Sequence, residues 1–387
     1  MGSLYDNSGE DIYARRDIEK RRKHAMAMKK KRKRQILKRK IMLFTGAAAI
    51  LVASLGLTAA VRKNNTASGS SLNPKETQQV AIDANADAAN DDNIDKKDEK
   101  KFVYAQKSSD YKEITDAAVR TPYVALLDVN NNKIIAGREA ESRIYPASMT
   151  KVMSLIVAVE NVKDVTKMYQ FTNKLLYPLY NAQASVAGFG TNEIVPVSDL
   201  FYGMILPSGA DAAAALAEIV AGSEEQFAVL MNKKCEELGL KNTHFVNSTG
   251  LYDDEQYTTP SEMAMIMEYA MKDETRAKVL GTYQYKTKAT AQHPEGIQLT
   301  STMYSRIYGN EAPGVLVKGG KTGFTNEAGS CLVSYAVTNK GNAYVFCTGG
   351  ATYRWAPVYD EIYVYKNIIP ASAKDLETET TKMSPNN

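Results

Sequence analysis

An uncharged segment, residues 41–61, sets the first constraint on how this 387-residue chain can fold. It is rich in Ala, Leu, Ile and Val, and twenty-one helical residues suffice to cross a hydrocarbon core of roughly 30 Å. The preceding residues 1–40 hold fifteen Lys and Arg against five Asp and Glu. This basic block favours a transmembrane helix over a buried helix of a soluble domain. Since positive residues favour the cytoplasmic side, we expect residues 1–40 to be a cytoplasmic tail and everything after residue 61 to lie outside.

Two features of this region allow alternatives. Thr58-Ala59-Ala60 could serve a signal peptidase, but a basic region of forty residues is far longer than that of an ordinary signal peptide, so a retained single-pass anchor in the cell membrane is favoured. A basic run can bind nucleic acid, but its position beside the membrane makes anionic lipid the simpler partner. We therefore expect lipid contact and no nucleic acid.

Composition divides the rest of the chain. Residues 62–115 are polar, with Ser and Gly at the start and mixed charges later, and such a segment cannot bury enough apolar surface to fold. It is predicted to be a disordered extracellular linker. Residues 116–370 have the composition of one compact domain, and residues 371–387 form a polar tail.

Within the compact part, strand-like and helical patterns alternate. A hairpin is predicted at 123–138, followed by helices from Ser148, at 196–206, 210–221 and 223–238, and one opening at Thr259-Pro260. Four strand-like segments follow at 296–302, 314–322, 329–338 and 342–350, and an amphipathic helix covers 355–368. Terminal strands and helices around an inserted helical block predict an α+β domain, with helices on a mainly antiparallel sheet.

Three short motifs carry the chemistry. A serine and a lysine one helical turn apart lie at the start of an apolar helix, and Pro146 precedes them. A second serine and a late Lys-Thr-Gly follow in order: Ser148-Met149-Thr150-Lys151, Ser208-Gly209 and Lys321-Thr322-Gly323. A lone serine with a lysine three residues later is usually a helix cap with a solvated lysine. A second copy at Ser109 and Lys112 lies in polar sequence and is interpreted as chance.

These residue types suit acyl transfer without histidine. A serine hydroxyl becomes a good nucleophile when a nearby base takes its proton. Residues three apart share a helix face, so Lys151 points back at Ser148. A lysine acts as a base only when burial or a second cation lowers its pKa, and Lys321 is the candidate cation. The N–H groups of the first helical turn can help to hold an oxyanion.

With these motifs in place, the chain resembles the D-alanyl-D-alanine carboxypeptidases of the S11 peptidase group, the low-molecular-weight penicillin-binding proteins. The resemblance covers about residues 117–369 and rests on four ordered blocks. These are Tyr145-Pro146-Ala147-Ser148-Met149-Thr150-Lys151, Leu206-Pro207-Ser208-Gly209, residues 242–251 and residues 320–329. It implies a β-lactamase/DD-peptidase-like transpeptidase domain.

The resemblance also implies roles. Ser148 is the acylated nucleophile, Lys151 its base, and Ser208 a proton relay toward the leaving D-alanine. Lys321, Thr322 and Gly323 belong to the strand that binds the substrate carboxylate, and the backbone N–H groups of Ser148 and Phe324 form the oxyanion hole. The implied substrate is a peptidoglycan stem pentapeptide, with β-lactams as covalent inhibitors. No cofactor is implied.

Two departures from the family pattern stand out. The family usually has asparagine two residues after the second serine, where this chain has Ala210 followed by Asp211. Ala210 cannot hydrogen-bond a substrate amide, and Asp211 would reach that slot only if the helix turned differently. The chain also ends about twenty residues after Ile368, where members of the family often continue into a β-rich domain and a membrane helix.

Other functions were weighed against this one. A Ser-His-Asp hydrolase has only His244 and His293 to draw on outside the membrane, and both are expected to be structural. A β-lactamase needs a glutamate that activates water; Glu160 and Glu193 are near in sequence but lie in unconvincing contexts. A membrane-tethered, non-catalytic peptidoglycan-binding protein is supported only by Ala210.

The three cysteines, Cys235, Cys331 and Cys347, are expected to be buried free thiols. A two-residue turn at Lys340-Gly341 would pair Cys331 with Gly350 and Cys347 with Ser334. That register puts the two cysteines on opposite faces of the sheet and excludes a disulfide between them. No Cys or His pair has metal-ligand spacing, so no metal site is expected.

Overall fold

The computed structural model describes residues 102–307 and 309–374. Its centre is a six-stranded sheet with the order β1-β3-β2-β10-β9-β8, in which β1 runs parallel to β3 and every other pairing is antiparallel. Two ribbons of two strands each, β4-β5 and β6-β7, accompany it. The strands are β1 Gln106–Glu113, β2 Tyr123–Asp128, β3 Lys133–Arg138, β4 Met168–Gln170, β5 Ile194–Pro196, β6 Gln284–Lys286, β7 Gln298–Thr300, β8 Val315–Thr325, β9 Gly329–Thr338 and β10 Ala343–Ala351.

Helices cover the sheet, and the α+β prediction is confirmed. They are α1 Thr150–Asn161, α2 Asn173–Asn181, α3 Val197–Ile205, α4 Ala210–Ala221, α5 Glu224–Glu237, α6 Pro260–Met271, α7 Glu274–Gly281, α8 Tyr304–Ile307 and α9 Ala356–Asn367. Short 3-10 turns lie at Ala147–Met149 and Ala371–Ala373. The segment predicted as a strand at 296–302 contributes only three residues to the β6-β7 ribbon.

Alternating residues of the central strands feed two cores, one on each face of the sheet. Val124 and Leu126 of β2 pack with Val364 and Tyr365 of α9, whereas Leu127 packs with the residues of α1 and α6. Ten of the twelve residues of α6 are buried, which identifies it as the central helix of the larger core. Helix α1 lies against it.

Local capping explains two helix starts that the sequence predicted. The Ser223 hydroxyl accepts a hydrogen bond from the Gln226 N–H at 3.2 Å, and the Thr259 hydroxyl accepts one from the Glu262 N–H at 3.1 Å. Pro260 occupies the first turn of α6, where its missing N–H costs nothing. Both predicted helix starts are confirmed.

The prediction that residues 62–115 form a disordered linker is wrong at the C-terminal end of this segment. Strand β1, Gln106–Glu113, pairs with β3 at the edge of the sheet, so the folded unit begins before residue 116. Most of this strand is exposed, and an exposed edge strand has no apolar alternation to distinguish it from a linker. Ser109 and Lys112 lie in β1 and so do not share a helical turn, which confirms that this copy of the motif is chance.

The prediction that a polar tail begins at residue 371 is also wrong. Lys374 is buried, and its Nζ donates hydrogen bonds to the carbonyl oxygens of Tyr365 at 3.0 Å and Lys366 at 2.7 Å at the end of α9. These carbonyls have no partner within the helix, and a lysine there satisfies them. The rest of the predicted tail, like the predicted cytoplasmic tail, the membrane segment 41–61 and most of the linker, lies outside the described residues.

The predicted hairpin register is wrong by one residue. Cys347 pairs with Val333 rather than Ser334, and a β-bulge lies between Thr348 and Ala351. A shift of one residue moves a side chain to the other face of a sheet, so Cys331 and Cys347 share the larger core rather than opposite faces. All three cysteines are buried free thiols, as the sequence predicted.

Among the described residues, no helix combines the length and apolar character that a membrane crossing requires.

A buried carboxyl in the smaller core gives the first testable prediction. Burial is the main cause that raises the pKa of Glu361, on α9, to about 8. The folded chain keeps this proton up to about pH 8, whereas the unfolded chain releases it near pH 4.5, so stability falls as the pH rises between these values. At about 1.4 kcal/mol per pH unit, the loss reaches about 3 kcal/mol at pH 7.

Glu361→Gln is therefore expected to raise the free energy of unfolding by about 2–3 kcal/mol at pH 7 and to change it little at pH 4.5. Urea unfolding of both proteins at half-unit pH steps measures this difference. The exposed Glu236, replaced by glutamine, is the matched control. A constant difference at every pH would contradict the assignment.

Candidate active site

A strained turn presents Ser148 to solvent. The 3-10 turn Ala147–Met149 precedes α1, so the α-helix itself begins at Thr150, two residues later than predicted. Ala147 has φ +47°, an uncommon conformation for a residue with a side chain, and it is buried, whereas Ser148 is partly exposed. Gly250 packs on this turn: with φ +78°, an added Cβ there would lie 2.0 Å from the Ala147 carbonyl oxygen. The turn therefore depends on glycine at position 250.

Lys151 lies directly behind Ser148. Its Nζ is 3.1 Å from Ser148 Oγ, and it also donates a hydrogen bond to the Thr249 carbonyl oxygen. The side chain is fully buried, with an exposed fraction of 1%. Burial lowers the pKa of Lys151 from 10.5 to about 7, although the negative charges of Asp211 and Glu224 oppose this shift. A substantial fraction of Lys151 is therefore uncharged at neutral pH and able to accept a proton.

The second serine forms a matching pair with the second lysine. Ser208 has φ +68° at the turn before α4, and its Oγ accepts a hydrogen bond from Lys321 Nζ at 3.0 Å. Its neighbour Gly209 packs so tightly that an added Cβ would lie 2.5 Å from the Gly203 carbonyl oxygen. The turn thus holds Ser208 in one orientation toward Lys321.

Strand β8, which carries Lys321, is an edge strand of the sheet, and Lys321 itself is buried. Burial first, and then repulsion from Lys151 and Arg306, lowers the pKa of Lys321 well below 10.5. The Thr322 hydroxyl lies 2.7 Å from the Thr302 hydroxyl. A carboxylate placed beside these groups would supply the opposite charge, and an opposite charge raises the pKa of a lysine.

The same strand passes close to Ser148. An added Cβ at Gly323 would lie 3.2 Å from the Ser148 backbone nitrogen and 3.1 Å from Ala147 Cβ. Phe324 follows, with 58% of its side chain exposed. The backbones of residues 323–324 and of Ser148 are thus adjacent, as two N–H donors to one oxyanion must be.

Position 210 is filled by an apolar contact. Ala210 is buried in a small cluster with Leu179 and Ala214. Asp211 turns away from that slot, because its carboxylate accepts hydrogen bonds from the backbone N–H groups of Ala187, Gly188 and Ala212 at 2.8–3.0 Å. Asp211 therefore holds the segment between α2 and β5, and the methyl group of Ala210 offers Lys151 no hydrogen bond.

The histidines and glutamates of the alternative functions have other partners. His244 Nδ1 lies 2.6 Å from the Glu255 carbonyl oxygen, and His293 Nδ1 lies 2.8 Å from Glu193 Oε1. Glu193 also accepts hydrogen bonds from Thr290 and from the Gly190 N–H, and Glu160 forms ion pairs with Lys234 and Arg276. These contacts are structural, as expected for the histidines.

Sequence reasoning missed the residues that support Lys151 and Thr322. The Thr249 carbonyl, the Glu224 carboxylate and the Thr302 hydroxyl each lie far along the chain from the group they serve. Thr249 lies in the block 242–251, so its position in an ordered motif was a signal. Glu224 is one of two adjacent glutamates in the first turn of α5, and nothing in the sequence distinguished it from its neighbour.

Comparison with known proteins supports one family. The family model of D-alanyl-D-alanine carboxypeptidases matches residues 110–348. The D-alanyl-D-alanine carboxypeptidase DacF of Bacillus subtilis is 32% identical over 246 residues, which are 63% of this chain and 61% of the relative. The chain thus spans less than two thirds of that relative's length.

Solved structures agree. A DD-transpeptidase from Streptomyces superposes with a TM-score of 0.57 at 25% identity, covering 64% of this chain and 97% of the other. Penicillin binding protein 5 from Haemophilus influenzae gives a TM-score of 0.55 at 26% identity, covering 64% of this chain and 70% of the other. Two serine–lysine pairs beside an edge strand fit the same fold, and the chain belongs to the S11 family of D-alanyl-D-alanine carboxypeptidases.

Proposed function

We propose that this protein is a serine-type D-alanyl-D-alanine carboxypeptidase that removes the terminal D-alanine from peptidoglycan stem pentapeptides. The observation that carries the proposal is the buried Lys151, whose Nζ lies 3.1 Å from Ser148 Oγ and whose pKa is lowered to about 7. A base with a pKa near the working pH is partly unprotonated and still strong enough to accept a proton.

The proposed reaction begins with acylation. Neutral Lys151 takes the Ser148 hydroxyl proton, and Oγ attacks the carbonyl carbon of the penultimate D-alanine. The N–H groups of Ser148 and Phe324 hold the oxygen that becomes negative. The C–N bond to the terminal D-alanine then breaks, and its amine receives a proton that passes from Lys151 through Ser208. The product is an ester between Ser148 and the shortened peptide.

Deacylation restores the enzyme. Water gives a proton to Lys151 and attacks the ester carbonyl, and the Ser148 oxygen leaves with a proton. Throughout, Lys321 and Thr322 bind the substrate carboxylate. Because β8 is an edge strand of the sheet, an extended peptide could pair with it.

A β-lactam would follow the first half of this path. Its strained amide carbonyl acylates Ser148, and its carboxylate occupies the position beside Lys321. Because the cleaved ring stays tethered to the acyl group, no leaving group departs and hydrolysis is slow. β-Lactams are therefore proposed as covalent inhibitors.

The membrane assignment belongs to the same proposal. The uncharged segment 41–61 after a strongly basic tail supports a single-pass anchor in the cell membrane, with the tail in the cytoplasm against anionic lipid and the catalytic domain outside. The linker would then carry the domain toward the cell wall. Protease treatment of intact cells tests this: the catalytic domain should be digested while an epitope at the N-terminus survives.

The deciding experiment measures D-alanine released from an N-acylated L-Lys-D-Ala-D-Ala peptide by the purified full chain, alongside labelling with a fluorescent penicillin. The expected result is D-alanine release together with slow-turnover labelling. Rapid turnover of penicillin without D-alanine release would favour a β-lactamase. A folded protein that shows neither reaction would favour a non-catalytic peptidoglycan-binding protein.

A further inference from the structure

A hydrogen-bonded chain leads from Lys151 away from the nucleophile into the protein. Lys151 Nζ donates to the Thr249 carbonyl oxygen, which belongs to the segment between α5 and α6. The preceding residue, Ser248, is fully buried, and its carbonyl oxygen accepts a hydrogen bond from the Ser154 hydroxyl of α1 at 2.7 Å. Two successive carbonyl groups of this segment are therefore bonded to α1.

Glu224 holds Ser248 from the other side. One carboxylate oxygen accepts the Ser248 N–H at 2.8 Å, and the other accepts the Ser248 hydroxyl at 2.8 Å. Glu224 lies in the first turn of α5, where the helix dipole favours a negative charge. With both oxygens bonded to one residue, the carboxylate fixes the peptide next to the carbonyl that holds Lys151.

The charges around Lys151 come from three elements. Asp211 of α4 and Glu224 of α5 are the negative groups that act on it, and Lys321 of β8 is the positive one. Asp211 is held by backbone N–H groups of residues 187, 188 and 212. Charged groups on the other helices that pack against α1 bond to partners other than Lys151. Glu262 of α6 accepts the Asn242 N–H, and Arg276 of α7 pairs with Glu160.

We propose that Glu224 is a positioning residue for the reaction: its carboxylate fixes Ser248 and so the Thr249 carbonyl that holds Lys151 beside Ser148, and it places a negative charge behind the ammonium group. The proposal rests on the proposed function of Lys151 as the base. Two effects follow. The clamp keeps Nζ in reach of Ser148 Oγ, and the charge keeps the pKa of Lys151 from falling further under the effect of burial.

Glu224→Gln tests the charge with little change in shape, because the amide oxygen can still accept the Ser248 N–H and the amide nitrogen can donate to the Ser248 hydroxyl. Removing a nearby negative charge lowers the pKa of a lysine. Acylation requires neutral Lys151, so the acid limb of its pH profile should move to lower pH by about one unit. The rate constant for acylation by penicillin, measured from pH 5.5 to 9, gives this limb.

The matched control is Glu225→Gln, since Glu225 is the next residue and is exposed. Its profile should superimpose on that of the wild type. Glu224→Asp retains the negative charge but has a shorter side chain. The acid limb of its pH profile should therefore stay in place, while the acylation rate at the plateau falls by about tenfold. This variant also keeps the test decisive if Glu224→Gln does not fold.

A rate that falls equally at all pH values in Glu224→Gln, with the limb unmoved, would overturn the proposal and leave Glu224 a structural residue. An NMR titration of 13C-labelled lysine measures the same shift in the pKa of Lys151 without any reaction. The Lys151 signal is assigned by its loss in Lys151→Met. An unmoved titration would also overturn the proposal. Wild-type protein that penicillin fails to acylate at every pH would instead contradict the proposed function.

Discussion

Replacing Ser148 with alanine is expected to abolish covalent labelling by penicillin and to lower D-alanine release at least about a thousandfold. The reason is that the variant has no oxygen 3.1 Å from Lys151 Nζ that can form the ester. The fold should be retained, because Ser148 is partly exposed and the turn that holds it depends on Gly250 rather than on its side chain. Gel fluorescence after penicillin treatment and a coupled D-alanine assay measure the two effects.

The chain supplies a matched control for this variant in its second serine–lysine copy. Ser109→Ala changes the same residue type in the exposed edge strand β1 and should leave labelling and D-alanine release unchanged. Labelling that persists in Ser148→Ala but is lost in Ser109→Ala would show that the wrong copy had been chosen. Circular dichroism of each variant shows that loss of activity is not loss of folding.

Replacing Lys151 with methionine is expected to lower the acylation rate by about 10²–10⁴-fold, the usual contribution of a general base. Methionine has a similar length and suits a fully buried site, so stability should not fall. The dependence of the acylation rate on pH is the more specific test of Lys151 as the base. In the wild type, the acylation rate should rise with pH through about 7, because Lys151 must lose its proton to act as the base.

The Lys151→Met profile should lack this limb, since the group that titrates is gone. Lys112→Met is the control, because Lys112 occupies the equivalent place in the exposed copy of the motif. Stopped-flow acylation over pH 5.5–9 measures both profiles. A limb near pH 7 that remains in Lys151→Met would mean that another group titrates and that Lys151 is not the base.

Much of the architecture could be predicted from the sequence, because it follows from local rules. The apolar spacing after Ser148, the caps at Ser223 and Thr259 and the hairpin at 123–138 depend on residues within one or two turns of each other. The order of the three motifs indicated the reaction through its resemblance to the S11 family, and a serine one helical turn from a lysine suits acyl transfer. The burial of the cysteines followed from their apolar neighbours.

Other features escaped sequence reasoning because long-range contacts decide them. Strand β1 is polar and is a strand only because β3 supplies its hydrogen-bond partners. The register of β9 and β10 is set by a turn of three residues rather than the predicted two, because the Thr338 N–H donates to the Asn342 carbonyl oxygen at 2.8 Å. Asp211 could be placed only once its N–H donors at residues 187 and 188 were known.

The sequence by itself indicated the residues that we propose carry the chemistry, namely Ser148, Lys151, Ser208 and Lys321, and it determined that a compact α+β domain holds them. Only the tertiary structure decided the state of those residues. The pKa of Lys151 depends on burial, which lowers it, and on the Asp211 and Glu224 carboxylates from distant parts of the chain, which raise it. Desolvation and charge act through space, so the protonation that makes a lysine a base is a property of the fold.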